Sequence, residues 1–226
     1  MEDIVKIRKS IPSKYLSGTT TVGVTFKSGI VIASDKRASM GTFIASKAAK
    51  KTISITDKVV ATISGLVADG QFLTDRLRAE VELENLESGG KLPVKAIAYY
   101  LSNIMYSLRP MIYISQLIVG GVDEKGGHIY SLDPYGNLTE EKYIATGSGS
   151  PLAISILDKE YRENLNENEA INLVIKAISS SISRDSATGD GLDVVVVDKS
   201  GQKWLRKEQV EELLKLTEKN LVSIST

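Results

Sequence analysis

The feature that most constrains the fold is grouping: runs of short, β-branched-rich segments alternate with pairs of segments of helical period. From Thr19 the run Thr-Thr-Thr-Val-Gly-Val-Thr-Phe is followed by the turn residues Lys27-Ser28-Gly29 and a second apolar run, Ile30 to Ser34, which reads as a hairpin. Two more short strands, Thr52 to Ile55 and Val59 to Ser64, are joined by Thr56-Asp57-Lys58. Two helices are expected next: Gln71 to Leu86, with apolar residues at Phe72, Leu73, Leu77, Val81 and Leu83, and Val94 to Leu108, ended by Pro110. A second strand group covers Ser115 to Val122, His128 to Asp133 and Leu138 to Thr146. Helices return at Leu152 to Glu160 and Glu169 to Ser183, the second capped by Asn166 or Asn168, before a final buried strand, Asp193 to Asp198. This grouping predicts an α+β layered sandwich, two sheets covered by helices. The chain has 226 residues and no repeat, so one large domain is expected, with residues 1–18 outside the pattern as a polar, basic leader.

Composition removes several function classes. Lys plus Arg and Asp plus Glu both number 28, so no net positive field exists to hold nucleic acid or an anionic membrane surface. The N-terminal MEDIVKIRKS has no apolar core of a signal peptide, and no stretch approaches the roughly eighteen apolar residues of a membrane span. A cytoplasmic protein is expected. There is no Cys and a single His, His128, which excludes thiolate catalysis and Cys/His zinc sites. His128 opens an alternating strand-like run after Gly126-Gly127 and reads as structural. If the chain is a hydrolase, its base is not imidazole, and neither metal nor cofactor is called for.

A set of short motifs narrows the reading. In order they are Gly18-Thr19-Thr20-Thr21-Val22-Gly23-Val24, Ser34-Asp35-Lys36-Arg37, Lys50-Lys51, Ile63-Ser64-Gly65, Gly120-Gly121-Val122-Asp123, Gly147-Ser148-Gly149-Ser150 and Arg184-Asp185-Ser186-Ala187. Each is weak by itself, since a threonine-rich strand suits any pleated surface. In content, order and spacing the set is similar to β-type subunits of the 20S proteasome, of archaeal type, and the resemblance covers nearly all of the chain after Gly18. It implies the N-terminal-nucleophile hydrolase fold, a four-layer αββα sandwich of two antiparallel sheets flanked by helices. It also implies a propeptide, 1–18, removed on maturation, and a catalytic domain, 19–226.

A threonine hydroxyl needs an adjacent base, and without a suitable His the chain's own α-amine is a candidate. Its ordinary pKa of about 7.7 to 8.0 leaves it substantially available near neutrality. That amine exists at Thr19 only after the Gly18–Thr19 bond is cut, so cleavage would switch activity on; Gly18, lacking Cβ, suits a bent cleavage geometry. By resemblance Thr19 is the nucleophile, Lys51 lowers the proton affinity of amine and hydroxyl, and Asp35 holds Lys51. Ser148 and Asp185 steady the amine and relay its proton, and the Gly65 N–H faces the oxyanion. Thr188 stands where the family usually has Ser; it keeps the hydroxyl and adds a methyl. The substrate pocket is expected from Ala38, Ser39, Ala49, Ile53, Ile63 and Val67, giving apolar preference before the cut.

The resemblance implies a threonine endopeptidase acting on unfolded polypeptides. Its partners would be other β-type subunits in heptameric rings, α-type rings, and a regulatory ATPase acting through those. An unprocessed, non-catalytic ring subunit is the alternative. Other N-terminal-nucleophile hydrolases share the base mechanism, and the full-length resemblance argues against them.

Overall fold

The computed structural model describes residues 18–89, 91–107, 109–110 and 112–223, with side chains as far as Thr217. The leader residues 1–17, and Leu108 at the end of an expected helix, lie outside the described residues. Among the described residues twelve strands are found: β1 (Thr20–Phe26), β2 (Gly29–Asp35), β3 (Ala38–Met40), β4 (Phe43–Ser46), β5 (Thr52–Ser54), β6 (Val59–Gly65), β7 (Ser115–Asp123), β8 (Gly126–Leu132), β9 (Leu138–Glu141), β10 (Tyr143–Gly147), β11 (Leu192–Asp198) and β12 (Gly201–Trp204). The helices are α1 (Val67–Ser88), α2 (Val94–Ser107), α3 (Ser150–Glu160), α4 (Glu167–Ile182) and α5 (Lys207–Ser223).

One antiparallel sheet runs β10-β1-β2-β11-β12, another runs β5-β6-β7-β8-β9, and β3-β4 form a separate hairpin. The alternation of buried residues shows how they stack. On β2, Val31 and Ala33 join Val22, Leu157, Val174 and Ile178 in a core beneath α3 and α4. Ile30 and Ile32, on the opposite face, meet Val60, Ile118 and Ile129 from the other sheet. A third core, containing Ala61, Ile63, Leu73, Leu77 and Leu101, lies beneath α1 and α2. Three apolar layers separating four layers of structure make the αββα sandwich. They also explain the run Val194 to Val197: Val194 and Val196 face the helices while Val195 and Val197 face the second sheet.

Several elements differ from the sequence reading. Leu138 to Thr146 is not one strand; it breaks at Lys142, β9 pairing β8 in one sheet and β10 pairing β1 in the other. The hairpin β3-β4, strand β12 and helix α5 were not anticipated. Asn166 is the cap of α4, through a capping box in which its side chain accepts from the Glu169 N–H and Glu169 accepts from the Asn166 N–H.

Candidate active site

Strand pairing delivers the site. Thr19 sits just before β1, whose register sets Thr20 opposite Gly147 and Thr21 opposite Ser34, so Ser148 and Asp35 arrive from either side. On the far edge of β2, Leu192 lies opposite Asp35, which brings the loop between α4 and β11 to the same end. The glycines flanking Ser148 permit this approach. A Cβ on Gly147 would stand 2.1 Å from the Thr19 carbonyl oxygen, and one on Gly149 2.1 Å from the Thr20 hydroxyl.

Two connected groups surround Thr19, which is only 2% exposed. In the first, the Thr19 N–H donates to Ser148 Oγ at 3.2 Å, and Ser148 donates to Asp185 Oδ2 at 2.6 Å. Thr188 donates to the same carboxylate oxygen at 2.6 Å and so accepts from the Thr20 hydroxyl at 2.7 Å. Thr188 is fully buried, so the site accommodates its extra methyl without loss of the hydroxyl contacts. Burial is the largest single influence on Asp185 and acts upward. The hydrogen bonds from Ser148, Thr188 and the Ala187 N–H, with the Lys51 charge, outweigh it and leave the carboxyl below its ordinary value.

In the second group, Lys51 Nζ lies 2.7 Å from Asp35 Oδ1, both side chains being buried. Asp35 also accepts N–H bonds from Thr20 at 2.9 Å, Gly189 at 3.0 Å and Arg37 at 3.1 Å. Burial pushes the Asp35 carboxyl up and the Lys51 ammonium down, and the ion pair opposes both displacements. Lys51 Nζ also approaches the Gly18 carbonyl oxygen at 3.5 Å, and the Thr19 hydroxyl donates to that oxygen at 2.7 Å. The Gly18 N–H donates to Ser39 Oγ at 3.0 Å.

Sequence reasoning missed two contributors. Thr20 bridges the groups, its N–H on Asp35 and its hydroxyl on Thr188. Arg37 braces the Asp185 loop, Nε donating to Asp190 Oδ2 at 2.7 Å and a terminal nitrogen to the Ser186 carbonyl at 2.7 Å. Arg37 was visible in the Asp35 motif; Thr20 carried no signal beyond its neighbour.

Of the remaining expected residues, Gly65 ends β6 at φ 100°, and Ile63, on the same strand, takes the Lys51 carbonyl through its N–H at 2.9 Å. Ala38 and Ser39 lie on β3, Ile53 on β5 and Val67 at the start of α1. Ala49 precedes Lys51 and donates its N–H to the Lys36 carbonyl at 2.9 Å. His128 lies on β8 between Glu140, at 2.8 Å, and Asp123, at 3.3 Å, and touches none of these groups. Two surface clefts, lined by residues such as Glu211 and Lys159, contain no site residue.

The family model described as Proteasome subunit matches residues 15–197. The chain belongs to the proteasome subunit family. It is 50% identical over 200 residues to proteasome subunit beta 1 of Korarchaeum cryptofilum, covering 88% of this chain and 97% of that protein. It is 45% identical over 205 residues to proteasome subunit beta of Ferroglobus placidus, covering 90% and 98%. With proteasome subunit beta 2 of Aeropyrum pernix the identity is 48% over 185 residues, 82% and 84% of the two chains. This is a β-type subunit of the 20S proteasome, an assembly of several subunits that hydrolyses peptide bonds. Among the described residues no helix is long and apolar enough to cross a membrane.

Proposed function

We infer that this subunit is itself catalytic, a threonine endopeptidase made as a zymogen and matured by its own cleavage between Gly18 and Thr19. What supports the reading is the junction: the Thr19 hydroxyl lies against the Gly18 carbonyl, 2.7 Å from its oxygen, with the Lys51 ammonium on the same oxygen at 3.5 Å. In maturation Thr19 Oγ bonds to the Gly18 carbonyl carbon, the Gly18–Thr19 C–N bond breaks, and the hydroxyl proton ends on the departing nitrogen. Water then hydrolyses the resulting ester, giving a Gly18 carboxylate and restoring the Thr19 hydroxyl beside a free α-amine.

The same hydroxyl then attacks substrates, with the amine as base. Lys51 holds the amine's proton affinity down, Asp35 holds Lys51, and Ser148, Asp185 and Thr188 steady the amine and pass its proton. The Gly65 N–H receives the oxyanion. Ala38, Ser39, Ala49, Ile53, Ile63 and Val67 form the pocket, so cleavage follows apolar residues of unfolded polypeptides. The subunit acts in the cytoplasm, in heptameric rings of β-type subunits capped by α-type rings, to which a regulatory ATPase delivers substrate. Thr19→Ala tests the reading: the assembled particle is expected to form but to lose this subunit's peptidase activity. Retained activity in a particle without another processed β-type subunit refutes it.

A further inference from the structure

The leader's last residue faces a wall distinct from the expected substrate pocket. A Cβ built on Gly18 would stand 1.9 Å from Ala187 Cβ, 3.1 Å from Ala187 Cα and 3.1 Å from Ser148 Oγ. Carbon atoms rest at about 3.5 to 4.0 Å, so 1.9 Å is steep overlap and not a tight fit. None of those three atoms belongs to Ala38, Ser39, Ala49, Ile53, Ile63 or Val67, and Ser39 meets Gly18 at the backbone N–H.

The wall is also held on both sides. The Ala187 N–H donates to Asp185 Oδ1 at 3.1 Å, and the Thr188 N–H donates to the Asp185 carbonyl at 3.1 Å. Arg37 grips the Ser186 carbonyl just before Ala187, and Asp35 receives the Gly189 N–H just after it. Ala187 therefore moves away only if Asp185, Thr188 or Asp35 gives up a contact of the catalytic cluster. The cheaper escape for a side chain at position 18 is to displace the Gly18 carbonyl from the Thr19 hydroxyl, which removes the geometry that starts maturation.

We propose that Ala187 is a specificity-determining residue for leader release: its methyl restricts the residue before Thr19 to glycine, separately from the pocket that selects substrates. The chain thus carries two filters around one nucleophile. The Ala187 wall decides what is cut once, from the chain itself, and the apolar pocket decides what is cut repeatedly. A residue such as Leu before the cut suits the second filter and fails the first.

This inference rests on cleavage at Gly18–Thr19, and a mutant cycle separates the two. The full chain and its Gly18→Ala, Gly18→Leu, Ala187→Gly and Gly18→Ala/Ala187→Gly variants are assembled into particles, and leader loss is followed by intact mass. Gly18→Ala is expected to slow leader release by about tenfold or more, and Gly18→Leu to block it. In the Ala187→Gly background the penalty of Gly18→Ala should shrink severalfold, because the 1.9 Å contact is gone. A Gly18→Ala penalty of the same size in both backgrounds overturns the wall, as does leader release in the Gly18→Leu variant at the rate of the unaltered chain. If the unaltered chain in competent particles never begins at Thr19, the cleavage reading itself fails, and the proposal with it.

Discussion

Asp185 and the α-amine proposed for mature Thr19 both act in their deprotonated forms but over different pH ranges, and that separates their roles. Asp185 is held below its ordinary value of 3.8, so its ionised form stabilises the fold above that pH, and the stabilisation is lost only as pH falls below 3.8 through the folded value. On the proposed maturation, the freed α-amine of Thr19 would start at about 7.7 to 8.0 and the Lys51 ammonium would pull it down. Activity of mature particles should therefore decline through a single ionisation below about pH 8, well above the carboxylate range, in a profile of kcat/KM against pH. An acid limb near the carboxylate range would remove the amine from the role of base. Lys51 and Asp35 need a different experiment, because removing one partner of a buried pair leaves an uncompensated charge that costs about 3 to 5 kcal/mol. The double variant Lys51→Met/Asp35→Asn removes both charges and keeps one acceptor oxygen, enough for the Gly189 and Arg37 N–H groups, which share one carboxylate oxygen, while the Thr20 N–H on the other oxygen loses its partner. It should assemble and yet hydrolyse fluorogenic peptides no faster than Thr19→Ala. Wild-type rates in that variant would dismiss the electrostatic role. At this scale the sequence was legible where a motif names a side chain, as with Thr19, Asp35, Lys51, Ser148 and Asp185. It was silent on Thr20, whose main contribution is a backbone N–H, and on the bracing of the loop by Arg37, which depends on a contact 153 residues away in the chain.

Among the elements, the layer between the two sheets changes character toward the site. On β2 and β6 the inward positions pass from Ile30, Ile32 and Val60 to Ser34, Thr62 and Ser64. There the hydroxyls satisfy one another: Ser34 with Thr52 at 2.8 Å, Thr62 with Thr21 at 3.1 Å, Thr21 with Thr146 at 2.7 Å, and Ser64 with Thr146 at 3.0 Å. This belt ties β1, which follows the proposed nucleophile Thr19, to β6, which ends in the proposed oxyanion donor Gly65. Apolar packing alone would allow the sheets to slide; paired hydroxyls fix a register. Thr62→Val keeps the shape and deletes the donor to Thr21, which should cost about 1 to 3 kcal/mol in stability. Its thermal transition in the particle should fall, kcat should drop more than KM rises, and Thr62→Ser should recover most of kcat. Equal kcat in Thr62→Val and the unaltered chain would reduce the belt to packing. The helices and long strands were legible because their periods are strong over many residues. The split of β9 from β10 was not, since Glu141-Lys142-Tyr143 offers no Gly or Pro to mark a strand that changes sheets. Helix α5 was legible and overlooked: Val210, Leu213, Leu214 and Thr217 have helical spacing, and the first three pack on the helix-covered core.

For the whole molecule, the decisive question is when the junction becomes reactive. The four-layer body holds Asp35, Ser148 and Asp185 through sheets packed around three cores built from this chain's own residues. The grip on Gly18 is different, for its N–H is held by Ser39, which lies on the two-stranded β3-β4 hairpin outside both sheets. A lone two-stranded ribbon is marginally stable, and this one leaves Phe43 65% and Met40 45% exposed. Covering those side chains in the proteasome assembly would remove apolar surface from water and steady the ribbon, and with it the position of Gly18 before the Thr19 hydroxyl. Leader release is therefore expected to depend on assembly. Expressed without its partner subunits, the chain should keep residues 1–18 by intact mass, and in competent particles it should begin at Thr19. Substituting Phe43→Ser and Met40→Ser together should delay release in particles that still form, because the reactive cluster itself is untouched. A lone, unassembled chain that begins at Thr19 would break the coupling between assembly and maturation. Active particles whose chains all retain the leader would assign catalysis to other subunits and leave this one a structural member of its ring.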